Sequence, residues 1–316
     1  MRPYSRVYAT VNLDAVASNM RSMRDNLPAS TLIMGSVKAD GYGHGSVPVA
    51  KTIEPYVFGY AVATIDEGII LRRHGINKTI LILGVTHESR YEDLLRYDIR
   101  TAMFQYEKAK KLSDLALKQG KKAVVHLALD TGMSRIGMKA DREHAKEAAA
   151  IAALEGIEVE GLFTHFARAD ETDKSAYEEQ YRRYKEFLGY LKELGVKIPI
   201  RHCSNSAGIV ESLESNHMDM VRAGIAIYGM YPSDEVDHNS VKLTPAMEIK
   251  SCITYIKEIE AGTAVSYGGT FVADHTMKVA TIPVGYGDGY VRSLSGKGDV
   301  LIHGKRAAIL GRICMD

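Results

Sequence analysis

The chain has 316 residues, 40 of them basic and 39 acidic, for a net charge of +1, and 46% are hydrophobic. That balance, without a long run of either sign, gives no basis for a nucleic-acid or anionic-membrane partner, and no stretch approaches the ~18 apolar residues of a membrane span. Cys203, Cys252 and Cys314 are odd in number and scattered; with no apolar signal core at the amino terminus, they argue against a disulfide framework or zinc ribbon and for a cytoplasmic protein.

In chain order, Leu13, Val16, Met20, Met23 and Leu27 recur at helical spacing and Pro28 closes the segment, so a helix opens the chain. Thr31 to Val37 reads as a buried strand. It delivers Lys38 into Ala39-Asp40-Gly41-Tyr42-Gly43-His44-Gly45, where alternate glycines let backbone approach a ligand closely. A lysine at a strand end is ordinarily a solvated charge, but one desolvated beside such a loop suits a Schiff base. Further strands are predicted at Val57 to Val62, Thr79 to Leu83, Arg100 to Phe104, Ala123 to Leu129, Ile157 to Phe163, Ile198 to Cys203 and Asp219 to Val221. Between them come a helix opened by the capping box Thr64-Ile65-Asp66-Glu67 and ending near Gly75, then helices over Tyr91 to Tyr97, Tyr106 to Gln119, Glu143 to Leu154 and Ser175 to Leu194. Eight strands alternating with crossover helices predict a (β/α)8 TIM-type barrel. A doubly wound sheet is the runner-up, but its Gly-x-Gly-x-x-Gly fingerprint after the first strand is absent.

Beyond about Asp237 the texture changes to strand-like runs broken by glycine turns: Met247 to Ile256, Met277 to Pro283, Asp299 to His303 and Ala307 to Leu310. The expected organisation is therefore a barrel over 1–236 followed by a β-rich C-terminal domain over 237–316, with about the first ten residues free to pair with that domain. The chain stops at Gly311-Arg312-Ile313-Cys314-Met315-Asp316 without a cap, as if inside a domain, which reads as a shortened chain.

Barrel active sites lie at the carboxyl ends of the strands. Lys38, Arg135, His165, Asn205, Ser206, Arg222 and Gly224 all follow predicted strands and should share one rim. Phosphates often bind after the seventh and eighth strands of such barrels, where Ser206, Gly224 and Ile225 offer a hydroxyl and two backbone N–H groups. A reactive lysine on the same rim makes a phosphate-bearing cofactor pyridoxal 5'-phosphate. Taken singly, Ser206 could be a helix cap, His165 a core histidine and Arg222 a structural ion pair.

Val37-Lys38-Ala39-Asp40-Gly41-Tyr42-Gly43-His44-Gly45 resembles the cofactor-lysine motif of bacterial alanine racemases, with glycine at position 41 where alanine is commoner, and the resemblance runs from about Tyr4 to Asp316. It implies a pyridoxal-phosphate enzyme of fold-type III that interconverts L- and D-alanine, an amino-acid substrate, and D-alanine destined for peptidoglycan. It casts Tyr42, Ser206, Gly224 and Ile225 as phosphate ligands, Asn205 and His165 as supports, and Arg222 as the partner of the pyridine nitrogen. Arg135 becomes the contact to the substrate carboxylate. Racemisation requires acid/base groups on both faces of Cα, and the resemblance assigns Lys38 to one face and Tyr267 of the partner subunit to the other. Tyr286 and Met315 approach from the same partner, so a homodimer with shared sites is implied. Taken by itself, Tyr267 reads as a strand-packing aromatic.

In Leu127-Ala128-Leu129-Asp130-Thr131-Gly132-Met133-Ser134-Arg135-Ile136-Gly137 the chain departs from the family at Ala128, where many members carry a carbamylated lysine. A partly buried Arg135 left without that anion would draw a chloride or another small anion. The alternatives are a serine or broad-specificity racemase, a non-catalytic pyridoxal-phosphate barrel, and a cofactor-free metal barrel using His44, His126 and His165, whose spacing is unlike a metal site.

Overall fold

The computed structural model describes residues 6–316. The described chain forms two compact units, Asn12–Ala246 and a second made of the segment ending at Val11 together with Met247–Asp316. The first unit therefore closes at Ala246, beyond the expected 236/237 boundary, because Val236, Val241 and Ala246 are buried in its core.

The first unit is built on eight parallel strands: β2 (Leu32–Ser36), β3 (Gly59–Val62), β4 (Thr79–Ile82), β5 (Arg100–Met103), β6 (Ala123–Asp130), β8 (Ile157–Phe163), β9 (Ile200–His202) and β10 (Met220–Ala223). They pair in the order β5-β4-β3-β2-β10-β9-β8-β6, and β5 pairs with β6 to close the ring. A two-residue strand, β7 (Met138–Lys139), adds to β6 at Leu129 and Asp130. Helices α1 (Leu13–Asp25), α2 (Ser46–Ile53), α3 (Ile65–Arg73), α4 (Tyr91–Tyr97), α5 (Tyr106–Lys118), α6 (Arg142–Ala152) and α7 (Ser175–Glu193) accompany the ring, with a short α8 (Ser206–Val210) after β9.

The local causes are legible. α1 is capped by Asn12, whose side chain accepts from Asp14 N–H and Ala15 N–H, and it buries Val16, Met20 and Met23. α3 starts on the Thr64/Glu67 capping box. Strand β3 is buried along its whole length, as expected of a parallel strand covered by helices. Helix α2 has no counterpart among the elements expected from the sequence. No helix among the described residues is long and apolar enough to cross a membrane.

The second unit is β-rich. β1 (Val7–Val11) pairs antiparallel with β11 (Met247–Ser251), and β12 (Tyr255–Ile259) with β15 (Met277–Thr281). Two small hairpins follow, β13 (Ala264–Val265) with β14 (Phe271–Val272) and β16 (Asp299–Ile302) with β17 (Lys305–Ala308). The single strand expected over 247–256 is thus two strands with different partners. Residues 1–5, where part of the expected N-terminal pairing falls, lie outside the described residues.

Candidate active site

Lys38 follows β2, whose last residues are buried, and the turn after it is unusual. Ala39, Asp40, Gly41 and Tyr42 have φ of 51°, 50°, 61° and 52°, a continuous left-handed turn, which costs roughly 1–2 kcal/mol for each non-glycine residue. Hydrogen bonds hold it. Gly41 N–H donates to Val37 O (2.9 Å), Gly43 N–H to Ala39 O (3.0 Å) and Gly45 N–H to Asp40 O (2.8 Å). Ser46 N–H donates to Asp40 Oδ1 (2.8 Å), and Ala39 N–H donates to Glu67 Oε1 (2.8 Å), so α3 anchors the residue next to the lysine. The turn presents Tyr42, whose ring packs on Tyr228 with centroids 4.8 Å apart, while Lys38 Nζ stands 5.9 Å from the Tyr42 centroid. Burial lowers the Lys38 pKa from its ordinary value and the charges of Arg135 and Arg222 lower it further, against an opposing effect of Glu67.

On the strand next to β2 in the ring, β10 carries Arg222, which is buried. One Nη donates to His202 Nδ1 (2.8 Å) and His202 O (3.1 Å); the other donates to Thr164 O (2.7 Å), Cys203 O (3.0 Å) and His165 Nδ1 (3.3 Å). These bonds leave Nε–H as the guanidinium donor with no acceptor among the described residues. Burial pulls the Arg222 pKa down to about 10, so it remains a cation at neutral pH. His165 is pulled down to about 3 by burial and by the charges of Arg222, Arg135 and Lys38, and is neutral.

After β9 and β10 the chain forms a small cradle. Ser206 Oγ accepts from Gly224 N–H (2.9 Å) and Ala226 N–H (3.4 Å). A Cβ placed on Gly224 would lie 3.3 Å from the Tyr42 hydroxyl and 3.5 Å from Ser206 Oγ, so the glycine keeps two hydroxyls facing one space. Gly224 N–H is turned onto Ser206, whereas the expectation had it free; Ile225 N–H, at the start of the one-turn helix Ile225–Tyr228, has no acceptor among the described residues. Asn205 caps α8 through Gly208 N–H (3.2 Å) and donates to Phe166 O (3.3 Å).

Arg135 occupies a loop that Asp130 shapes by accepting from Gly132 N–H and Ser134 N–H, both at 3.0 Å. Its side chain is exposed. Ala128 is buried in an apolar cluster with Ala102 and Phe163. In the single chain Arg135 is thus exposed, where the sequence led to a partly buried guanidinium. His44, His126 and His165 do not converge either: His44 packs on Tyr228, and His126 is fully buried and bonded to His202.

Several supporting residues escaped the sequence reading. Gln180 of α7, almost fully buried, donates to Thr131 Oγ1 (3.2 Å) and His165 O (3.1 Å) and accepts from Ala167 N–H (2.9 Å), tying the His165 loop to the start of the Arg135 loop. Its only sequence signal was a polar residue on the inner face of an amphipathic helix.

Tyr267, Tyr286 and Met315 all belong to the β-rich unit and are exposed, Tyr267 at 69%. Their segments are gathered by the last residues of the chain. Ser266 Oγ donates to Arg312 O (2.6 Å), Tyr286 N–H to Cys314 O (3.0 Å) and Gly287 N–H to Met315 O (2.8 Å).

The alanine racemase N-terminal domain model matches residues 11–232 and the alanine racemase C-terminal domain model matches residues 246–316. An alanine racemase of Desulforamulus reducens is 44% identical over 98% of this chain and 84% of its own length; one of Clostridium perfringens is 44% identical over 98% and 80%. Among solved structures, alanine racemase of Clostridium difficile 630 superposes with a TM-score of 0.92 at 41% identity, covering all of this chain and 82% of that one. The Bacillus anthracis alanine racemase with bound L-Ala-P gives 0.89 at 34% identity, covering all of this chain and 82% of that one. With matches that together span both units, this chain belongs to the alanine racemase family.

Proposed function

We propose that the chain is a pyridoxal-phosphate-dependent alanine racemase acting as a homodimer. One observation carries the reading: an amine of lowered pKa, a hydroxyl-lined cradle and a buried arginine with one uncommitted donor come together in the barrel unit. The donors suit the cofactor. Tyr42, Ser206 and Ile225 N–H would hold its phosphate, Arg222 Nε–H its ring nitrogen, and Lys38 its aldehyde carbon. Pyridoxal phosphate, when bound, supplies an electron sink that acidifies the substrate Cα–H.

Arg222 has no proton to release at neutral pH, so its N–H can hydrogen-bond the ring nitrogen without protonating it. That keeps negative charge at Cα, which favours return of the proton there over transamination. Lys38, in its neutral form, removes or returns the Cα proton on one face, and Tyr267 of the partner subunit serves the other face. Arg135, exposed and cationic, binds the substrate carboxylate. Its charge also disfavours protonation of Lys38, which keeps that base in its active form. D-alanine made this way would feed peptidoglycan synthesis.

The test is spectroscopic and then kinetic. The purified protein should show a visible cofactor band that borohydride removes. Lys38→Ala should lack the band, whereas Tyr267→Phe should keep it and lose racemisation. Mixing the two inactive variants should restore part of the activity, since heterodimers hold one intact site. A Tyr267→Phe protein that exchanges Cα–H for deuterium and racemises at the parent rate would refute the two-base assignment.

A further inference from the structure

Arg222 is buried with no carboxylate in contact among the described residues; its Nη atoms meet main-chain oxygens and imidazole nitrogens. A buried guanidinium is tolerable only when its partners are held in accepting form. His202 Nδ1 accepts from Arg222 at 2.8 Å, and the contacts continue beyond it: His202 Nε2 is 2.8 Å from His126 Nδ1, and His126 Nε2 is 2.9 Å from Glu160 Oε2. The two ends dictate the direction. Arginine only donates and an ionised carboxylate only accepts, so each imidazole must carry its one proton on Nε2.

The backbone is arranged for this relay. β8 runs in register with β6 as far as Val125↔Val159 and then slips, so that His126 faces Gly161 and Glu160 is the extra residue of a bulge. A bulge re-aims a side chain, and here it aims a carboxylate at a core histidine. A Cβ on Gly161 would fall 2.5 Å from His126 Nδ1 and 2.7 Å from Cε1, so only glycine leaves room for the imidazole. Phe163 stacks on His202 with centroids 5.2 Å apart and lies 5.5 Å from the Arg222 guanidinium carbon. Arg100 Nε stands 3.5 Å from Glu160 Oε2 at the far end.

We propose that Glu160 and His126 are positioning residues for Arg222: acting through two neutral imidazoles, the bulge carboxylate fixes the direction of every hydrogen bond in the relay and so holds the guanidinium with Nε–H as its one uncommitted donor. Burial keeps His202 far below its ordinary pKa, helped by the Arg222 charge, and burial outweighs Glu160 at His126. Burial acts to raise Glu160, but the hydrogen bond from His126 and the charge of Arg100 carry it below its ordinary value. The relay therefore holds one anion, two neutral rings and one cation.

The first test needs no variant and no cofactor. Long-range nitrogen–proton correlation spectra of the nitrogen-15-labelled protein at pH 7 should report the Nε2–H tautomer for both His126 and His202. A proton on Nδ1 of either ring, or on both nitrogens, overturns the proposal. The second test rests on the racemase reading above. Glu160→Leu should lose the single tautomer at both rings and lower kcat about tenfold or more, the scale of a lost hydrogen bond to a charged group. KM should stay within about threefold, because the interaction is not one with substrate. Glu160→Gln, whose amide oxygen can still accept from His126, should restore the tautomers and most of kcat. A folded Glu160→Leu protein with both tautomers and the parent kcat would refute the relay. Absence of turnover in the parent protein would sink the racemase reading, while the tautomers would still decide the relay.

Discussion

The chemistry of Lys38 depends on how much of it is uncharged. Burial and the Arg135 charge lower its pKa, so its neutral form persists to lower pH than that of an exposed lysine. Trapping by pyridoxal phosphate and borohydride, followed by peptide mass spectrometry, should therefore give Lys38 a pH midpoint below those of the surface lysines. Arg135→Gln removes a charge that disfavours protonation and should move the midpoint upward; an unchanged midpoint would show that Arg135 does not act on this amine. Lys38 was legible in the sequence because a lysine between a buried strand and a glycine-rich loop is chemically odd. Arg135, His165 and Arg222 were individually ambiguous and gained meaning only from family resemblance. His126, Glu160 and Gln180 were not legible as a set. The partners of His126 lie 34 and 76 residues away, beyond any local spacing rule.

At the scale of elements, short strained segments aim the side chains. Gly137 closes the Arg135 loop at φ +116°, and a Cβ there would sit 2.6 Å from Asp130 N and Leu129 C. Those atoms are backbone and cannot give way as a side chain would. Gly137→Ala should cost about 1–3 kcal/mol of strain, lower the melting temperature by a few degrees, and shift the Lys38 trapping midpoint upward as Arg135 is displaced. Normal melting together with a normal midpoint would count against this loop as the device that places Arg135. The alternation of strands and helices was readable because each barrel strand is a short buried run and most helices carry an amphipathic stripe. What periodicity does not register is a change of partner. Residues 247–256 are continuously strand-like, yet β11 pairs with β1 and β12 with β15. Likewise α2 was hidden behind the glycines that precede it.

For the molecule as a whole, two fully buried neutral histidines make stability depend on acid. The unfolded chain takes up protons on His126 and His202 below their ordinary pKa of about 6.5, whereas the folded chain, with both values lowered, does not. The unfolded state thus binds more protons, so unfolding free energy falls as pH drops through this window, by up to about 1.4 kcal/mol per pH unit for each histidine. Urea unfolding at pH 7 and pH 5 should show this slope, and His202→Gln should flatten it. Equal slopes in parent and variant would mean that His202 is not held neutral by the fold.

The pairing of β1 with β11 carries a consequence for the order in which the molecule is made. Val11 must meet Met247, about 240 residues downstream, and at ~5–20 residues per second β1 emerges from the ribosome roughly ten to fifty seconds before its partner exists. The barrel resolves the wait. Its own ends are clasped where Asn12 N–H donates to Ala246 O at 2.7 Å, so once the ring has closed, β1 and β11 are delivered side by side and the entropic cost of that long closure has already been met.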